Sequence, residues 1–276
     1  MKDHELLKKA IAGDIHAFQA LFAQFQDQLK SYLFRLMASR ADAEDLAHDA
    51  FIKAFSNLPS FKRGASLKTW VFQIATNLAY NELKKRKRWV SNVKTQAKEM
   101  VMTHPSLQHE IQKVNTLSEY GKFEMREHID TCFTCMAKNL PIETQVVIIL
   151  KDIYDFSVKE IMTIIKRSEG QVKYALQLGR KTLTEIFEKR CALVNKKGVC
   201  NQCSELNGWF NPKQNQQAEK MKLQLHRDAK KANKKALFQL RLDLIKHIDP
   251  LRSEGNELQE TLLNCNRMVM GEIAGL

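Results

Sequence analysis

The sequence predicts an all-α protein. Residues that break helices are scarce, with 10 Gly and 5 Pro among 276 residues. Apolar side chains recur at three- and four-residue spacing, as in the stripe of Ala47, Phe51 and Phe55, and this is the period of an amphipathic helix. Two serine-initiated capping boxes mark further helix starts. These observations favour short helices joined by brief turns over a turn-rich β fold.

The charge balance points to an anionic partner. Lys and Arg number 44 against 31 Asp and Glu, a formal net charge of +13. Such a surplus suits nucleic acid, with anionic membrane surfaces and acidic proteins as the alternatives. The chain has no apolar run of the roughly 20 residues that a spanning helix needs, and its first residues lack a secretory leader. We therefore predict a cytoplasmic protein without membrane insertion.

The first charged element is an acidic helix. Segment 42–49 holds Asp42, Glu44, Asp45 and Asp49 and no Lys or Arg. Asp42 is the predicted N-cap, and acids in a first turn complement the positive end of the helix dipole. Solvation of a helix face is the alternative interpretation. The clustering favours a surface for a cationic partner.

A basic segment follows directly. Residues 50–90 hold nine Lys and Arg against the single acid Glu82. A loop with Lys62 and Arg63 precedes a helix that starts near Ser66, carries Trp70 and runs into basic residues 84–88. Cations hold phosphates and aromatic faces stack on unpaired bases, so this segment suits single-stranded DNA, although Trp70 could equally lie in the core.

A helix-turn-helix is predicted further along the chain. Ser157-Val158-Lys159-Glu160 and Ser168-Glu169-Gly170-Gln171 are two capping boxes, and they open two helices separated by a short turn. The second helix would enter the major groove of DNA. An ordinary helical hairpin is the alternative, and another helix starts at Leu140-Pro141. The outward residues of the second helix are Gln171, Lys173, Tyr174, Gln177, Arg180 and Lys181.

The cysteines suggest a metal site. Two Cys-x-x-Cys pairs, the two halves of a thiolate zinc site, are present. The ligands could form one shared site or two separate sites, and thiol redox sensing is a further alternative. Cys265 lies in a predicted helix as a small apolar residue. The candidate zinc ligands are Cys132, Cys135, Cys200 and Cys203, with His128 and Cys191.

Several motifs resemble bacterial sigma factors. Segments 42–46, 51–55 and 69–77 resemble the second conserved region of these proteins, most closely in the extracytoplasmic-function group. Segments 140–161 and 170–173 resemble the fourth region. The resemblance implies that the acids face core RNA polymerase and that the fourth-region helix reads the minus-thirty-five element. It also implies contacts with the opened minus-ten element for Lys62, Arg63, Trp70, Asn77, Lys84, Lys85, Arg86 and Arg88.

The resemblance also sets the expected organisation. We predict a second-region domain at 1–90, a linker at 91–137, a helix-turn-helix domain at 138–190, a cysteine-rich segment at 191–212 and a helical extension at 213–276. The expected partners are core RNA polymerase, promoter DNA and an anti-sigma protein. The alternatives are a DNA-binding regulator that acts without polymerase and a metal- or redox-sensing regulator. Neither a His-Glu-x-x-His motif nor a glycine-rich phosphate loop is present, so we do not expect an enzyme.

Overall fold

The structure is a computed structural model that describes residues 2–62, 64–117, 125–191, 234–252 and 256–274. These residues form helices and no strand, so the all-α prediction is confirmed. In this part of the chain, no helix combines the length and the apolar character needed to span a membrane. The α-helices are α1 (Lys2–Ile11), α2 (Ile15–Ala23), α3 (Gln26–Met37), α4 (Arg40–Asn57), α5 (Leu67–Lys84), α6 (Val93–Thr103), α7 (Pro105–Leu117), α8 (Met125–Ala137), α9 (Ile142–Ile148), α10 (Val158–Ile165), α11 (Glu169–Arg190), α12 (Lys234–Lys246) and α13 (Asn256–Val269).

The chain divides into two compact units. The first unit combines Met1–Arg86 with Ile142–Leu176, and the second combines Lys87–Pro141 with Gln177–Leu276. Each of the five predicted segments is one continuous stretch of sequence, whereas each unit combines two separate stretches. The predicted linker and C-terminal extension share the second unit, because α6 and α7 pack against α13 while α8 packs against α12 and α13.

Aromatic side chains build the core of the first unit. The ring of Phe72 on α5 lies 5.3 Å from that of Tyr32 on α3 and 4.9 Å from that of Phe156, which follows α9. Phe18 and Phe51 extend this packing between α2 and α4, with ring centroids 5.1 Å apart. Residues far apart in the sequence therefore share one core.

Buried polar groups hold α9 onto α3. The side-chain amide of Gln145 donates to the carbonyl oxygens of Arg35 (3.2 Å) and Leu36 (3.3 Å) near the end of α3. The guanidinium of Arg35, 1 % exposed, donates to the hydroxyl of Tyr154. Unpaired helix-end carbonyls are costly when buried, so these contacts specify how the two segments meet.

Serine side chains cap several helices. The Ser157 hydroxyl accepts from the Glu160 amide (3.2 Å), and the Glu160 carboxylate accepts from the Ser157 amide (2.8 Å), which confirms the predicted box. The same reciprocal bonds link Ser168 and Gln171. The prediction that Asp42 is an N-cap is wrong, because Ser39 occupies that position and its hydroxyl accepts from the Asp42 amide at 3.3 Å.

Apolar side chains from three helices pack together in the second unit. Ala97 on α6, Ile111 on α7 and Leu258 and Cys265 on α13 form a buried apolar cluster. Cys265 is 2 % exposed, and its burial raises the pKa of the thiol. The prediction that Cys265 is a small apolar core residue is therefore confirmed.

Candidate polymerase and nucleic-acid interfaces

The predicted acidic surface lies on α4. Glu44, Asp45 and Asp49 are exposed, and Asp45 and Asp49 lie one helical turn apart. Within the described residues, no ion pair involves Asp45 or Asp49. Asp42 differs, because its carboxylate is partly buried and lies 3.0 Å from the Arg86 guanidinium. Asp45 and Asp49 are therefore the acids most available to a partner.

A cavity that the sequence does not reveal opens beside this surface. It has a volume of about 320 Å³ and lies between α2, α3 and α4. Phe22, Ala47 and Phe51 are its apolar lining residues, and its polar lining includes Lys30 and Glu44. The acidic surface thus has next to it a recess lined by both polar and apolar side chains, which is the mixed composition expected of a protein-binding surface.

Three predicted DNA-binding side chains form a stripe along α5. Trp70, Asn77 and Lys84 are spaced by seven residues, so they lie on one face of the helix. Asn77 and Lys84 are exposed, whereas Trp70 is half-buried with its ring 5.1 Å from that of Phe61. We call these three residues the α5 stripe. Of the two cations predicted in the preceding loop, Lys62 is exposed and Arg63 lies outside the described residues.

The basic run at the end of α5 is less accessible than its sequence suggests. Lys84 and Lys85 are exposed, and Lys85 pairs with Glu82 at 2.7 Å. Arg86 is held by its ion pair with Asp42. The Arg88 guanidinium donates to the carbonyl oxygen of Ala137 (3.3 Å), and burial lowers its pKa to about 10 although Glu272 opposes this shift. The exposed positive charge of this run is therefore centred on the lysines.

A second face of α5 packs against α10. The Thr69 hydroxyl donates to the Glu160 carboxylate (3.3 Å), and the Gln73 amide donates to the Thr163 carbonyl oxygen. The Lys68 ammonium lies 5.0 Å from the ring centroid of Phe156, and burial lowers its pKa while Glu160 acts in the opposite direction. Helix α5 thus has one face packed in the protein and another carrying the α5 stripe.

The helix-turn-helix is present as predicted. Helix α10 ends at Ile165, its C-cap Lys166 has a left-handed backbone (φ 53°), and α11 begins three residues after Lys166. The adjacent Arg167 is held at 2.9 Å by Glu143 on α9. Tyr174 is 67 % exposed, and Lys173 pairs with Glu169 at 2.6 Å. The outward set is exposed throughout, as predicted: Gln171, Lys173, Tyr174, Gln177, Arg180 and Lys181.

The predicted metal ligands are only partly described. His128, Cys132 and Cys135 lie on one face of α8, and Cys200 and Cys203 lie outside the described residues. His128 is buried with Nδ1 3.2 Å from the Gln259 side-chain oxygen, and burial lowers its pKa to about 3.

The remaining described candidate is Cys191, whose Sγ accepts a hydrogen bond from Arg241 at 2.8 Å. In the part of the chain that is described, no three His, Cys, Asp or Glu side chains are grouped so that they could hold a metal ion. A zinc site would therefore need ligands beyond this part, and zinc stays a prediction.

Two family models match this arrangement of segments. Sigma-70 region 2 matches residues 21–89, and Sigma-70 region 4 matches residues 130–183. The ECF RNA polymerase sigma factor SigW of Bacillus subtilis is 27 % identical over 177 residues, which cover 64 % of this chain and 92 % of SigW. The ECF RNA polymerase sigma-E factor of Escherichia coli K12 is 26 % identical over 199 residues, which cover 71 % of this chain and 94 % of that protein.

Solved structures give a weaker likeness. The sigma factor RpoE in complex with the anti-sigma factor NepR from Bartonella quintana is 21 % identical, with a TM-score of 0.42. The match covers 62 % of this chain and 96 % of that one.

The two family models, in their order along the chain, place this protein among the sigma-70 sigma factors of RNA polymerase. Within that family, the chain belongs to the extracytoplasmic-function group, as the two relatives do. It therefore binds core RNA polymerase, directs promoter recognition and catalyses no reaction of its own. Residues 184–276 lie outside both models.

Proposed function

We propose that the acidic surface on α4 binds core RNA polymerase, that the α5 stripe contacts the opened minus-ten element, and that α11 reads the minus-thirty-five element as duplex DNA. The observation that carries this proposal is the separation of charge by helix. Exposed acids cluster on α4, whereas exposed cations and an aromatic ring follow on α5 and α11. Each surface matches the charge of one partner.

The polymerase contact is centred on Asp45 and Asp49. These carboxylates are exposed and close together, so they would attract a basic surface and steer its approach. The recess next to them has Phe22, Ala47 and Phe51 among its mainly polar lining residues, and these three supply some apolar surface. Charge would thus set the orientation of the complex, and the burial of apolar surface would add affinity.

The DNA contacts divide between single strand and duplex. On the α5 stripe, Trp70 offers an aromatic face for an unpaired base, Asn77 offers both donors and an acceptor, and Lys84 offers a cation to phosphate. On α11, residues of the first turns would reach base edges, whereas Arg180 and Lys181 further along would hold phosphates. The exposed Gln171 and Tyr174 are the proposed readers of sequence.

Substitutions on α11 test this division in reconstituted holoenzyme. We expect Lys181→Ala to weaken binding to all promoters alike and to reduce the salt dependence of log K by about one. We expect Gln171→Ala to relax discrimination at one or two positions by about 1–3 kcal/mol. Quantitative binding to a library of minus-thirty-five variants, at several salt concentrations, measures both effects.

The matched control is Lys189→Ala, an exposed lysine near the C-terminal end of the same helix. Its binding and salt dependence should equal those of the unmodified protein. If Gln171→Ala and Lys181→Ala changed neither affinity nor sequence preference, α11 would not be the duplex-reading element.

We also propose that the protein works in the cytoplasm, where bacterial polymerase and promoter DNA meet. An anti-sigma protein stays a predicted further partner. We propose in addition that Cys132, Cys135, Cys200 and Cys203 hold a structural or regulatory zinc ion, alone or with His128 and Cys191. Support comes from the two Cys-x-x-Cys pairs and from the position of the first pair on one helix face.

Metal analysis of the purified full-length chain tests the zinc proposal. We expect about one zinc per chain for a shared site, or about two for separate sites, and loss of metal in the Cys200→Ser/Cys203→Ser double variant. Cys265→Ser is the control, because Cys265 belongs to neither Cys-x-x-Cys pair and is buried in an apolar cluster with Ala97, Ile111 and Leu258. If the purified protein held no metal and its promoter activity responded to oxidant, the redox alternative would be supported. If it held no metal and its activity did not respond to oxidant, both the zinc proposal and the redox alternative would be excluded.

A further inference from the structure

A carboxylate near the C-terminus ties together two distant points of the chain. Trp89 is the last residue of the region 2 match, and Lys138 lies inside the region 4 match. Glu272 belongs to the extension outside both matches. All three lie in the second unit, where their side chains meet.

Backbone and side-chain bonds first join the two points directly. The Trp89 amide donates to the Lys138 carbonyl oxygen at 3.2 Å. The Arg88 guanidinium donates to the carbonyl oxygen of the adjacent Ala137 at 3.3 Å. The segment between them, α6 to α8, therefore forms a closed loop whose two ends are held against each other.

Glu272 then bridges these ends. Its carboxylate, 3 % exposed, accepts from the Trp89 indole Nε1 and lies 3.4 Å from the Lys138 ammonium. That ammonium is 1 % exposed and lies 4.5 Å from the centroid of the Trp89 ring. The second carboxylate oxygen lies 3.6 Å from Nε of Arg267. We call Trp89, Lys138, Arg267 and Glu272 the buckle.

The sequence at the end of α13 directs Glu272 into the buckle. Gly271 adopts φ 68°, a left-handed conformation that glycine reaches without strain. Its amide donates to the Met268 carbonyl oxygen (2.9 Å), and the Glu272 amide donates to the Arg267 carbonyl oxygen (2.9 Å). These two bonds form a Schellman motif, which ends the helix and turns the chain back onto it.

A closed buckle conflicts with the extended state that promoter binding requires. Minus-ten and minus-thirty-five elements lie about 25 base pairs apart, which is about 85 Å along B-form DNA at 3.4 Å per pair. The α5 stripe and α11 must therefore lie far apart when the protein contacts both elements. In the first unit, α5 instead packs against α10, the helix that precedes α11.

We propose that the C-terminal extension is an intrachain inhibitor, in which the Glu272 buckle holds the region 2 and region 4 segments closed until polymerase and promoter binding open it. The proposal rests on the assignment of DNA contacts to α5 and α11. A buried charge that loses its partner is strongly disfavoured. The free-energy cost of breaking the buckle therefore opposes opening of the protein. Any ligand that binds only the open form must supply this free energy. Its apparent affinity equals its intrinsic affinity for the open form multiplied by the fraction of molecules that are open.

Three full-length variants test the buckle. Glu272→Ala removes its contacts with Trp89, Lys138 and Arg267. Glu272→Gln keeps an acceptor for Trp89 but loses the charge that faces Lys138 and Arg267, and the control Glu257→Gln makes the same change at an exposed position of α13. Hydrogen exchange reports the Trp89 amide, with exchange in α3 as the check of folding. Run-off transcription with limiting sigma factor and core polymerase reports activity.

We expect Glu272→Ala to speed exchange at Trp89 and to raise initiation by on the order of tenfold, with Glu272→Gln intermediate and Glu257→Gln unchanged. Faster exchange at Trp89 without higher initiation would overturn the inhibitory role, and unchanged exchange would overturn the buckle itself. If Glu272→Ala also lost protection in α3, that variant would be misfolded. The milder Glu272→Gln variant would then be used to test the inhibitory role and the buckle. Variants of α5 and α11 test the proposed DNA interfaces separately. If they kept full promoter binding, the proposed interfaces would be refuted, but the exchange result at Trp89 would still stand.

Discussion

Charge reversal of Asp45 and Asp49 to lysine should weaken binding of core RNA polymerase by on the order of 100-fold or more. Both carboxylates are exposed on α4 one turn apart, so the double variant would place two cations where a basic partner surface is expected. Like charges brought together at an interface cost several kcal/mol, and each 1.4 kcal/mol is about tenfold in affinity. Titration of labelled core polymerase with the variant measures the loss.

The control for this experiment is Glu99→Lys, which makes the same reversal at an exposed position of α6 in the second unit. It should bind polymerase as the unmodified chain does. High salt should narrow the gap between the double variant and the control, because exposed charges are screened. Equal binding by all three proteins would remove α4 from the polymerase interface.

Acidic and basic surfaces could be predicted from sequence because they depend on local order. Charge segregates into blocks, and a helix of known period presents each block on a face. The capping box of Ser157 and Glu160 is equally local, since its partners lie three residues apart. The prediction of Asp42 as the N-cap failed although capping is also a local feature, because Ser39, three residues earlier, is a competing N-cap.

Pairings over long sequence distances could not be predicted. Arg86 and Arg88 belong to a basic run that predicts exposed cations, yet Arg86 meets Asp42 and Arg88 meets Ala137. Neither partner is a sequence neighbour, and composition carries no information about which of several cations will be buried. Glu272 illustrates the same point, since nothing around it in the sequence indicates that it reaches Trp89.

The half-buried state of Trp70 lies between the two interpretations that its sequence allowed. Its ring packs on Phe61 in the preceding loop, and part of it stays exposed on the same face as Asn77. As a core residue, Trp70 would be fully buried. As a residue that only stacks on unpaired bases, it would be fully exposed. A ring supported on one side needs little further ordering to receive a base, because its orientation is already fixed by packing.

Phe72→Ala should destabilise the first unit by about 3–5 kcal/mol and should unfold α3 and α10 together. The Phe72 side chain is fully buried and its ring lies between those of Tyr32 and Phe156, so truncation leaves a cavity shared by both segments. Chemical denaturation followed by circular dichroism gives the free energy, and hydrogen exchange shows which helices lose protection.

Ile52→Ala on α4 is the control, because its side chain is 47 % exposed and its removal should change stability by no more than about 0.5 kcal/mol. The joint loss follows from the contacts that connect the segments, since Gln145 caps the end of α3 and Phe156 completes the ring stack on α5. If α10 kept its protection while α3 lost it, the two segments would fold independently. Breaking their packing would then cost little free energy, and the free energy that keeps the region 2 and region 4 segments together would have to come from the buckle.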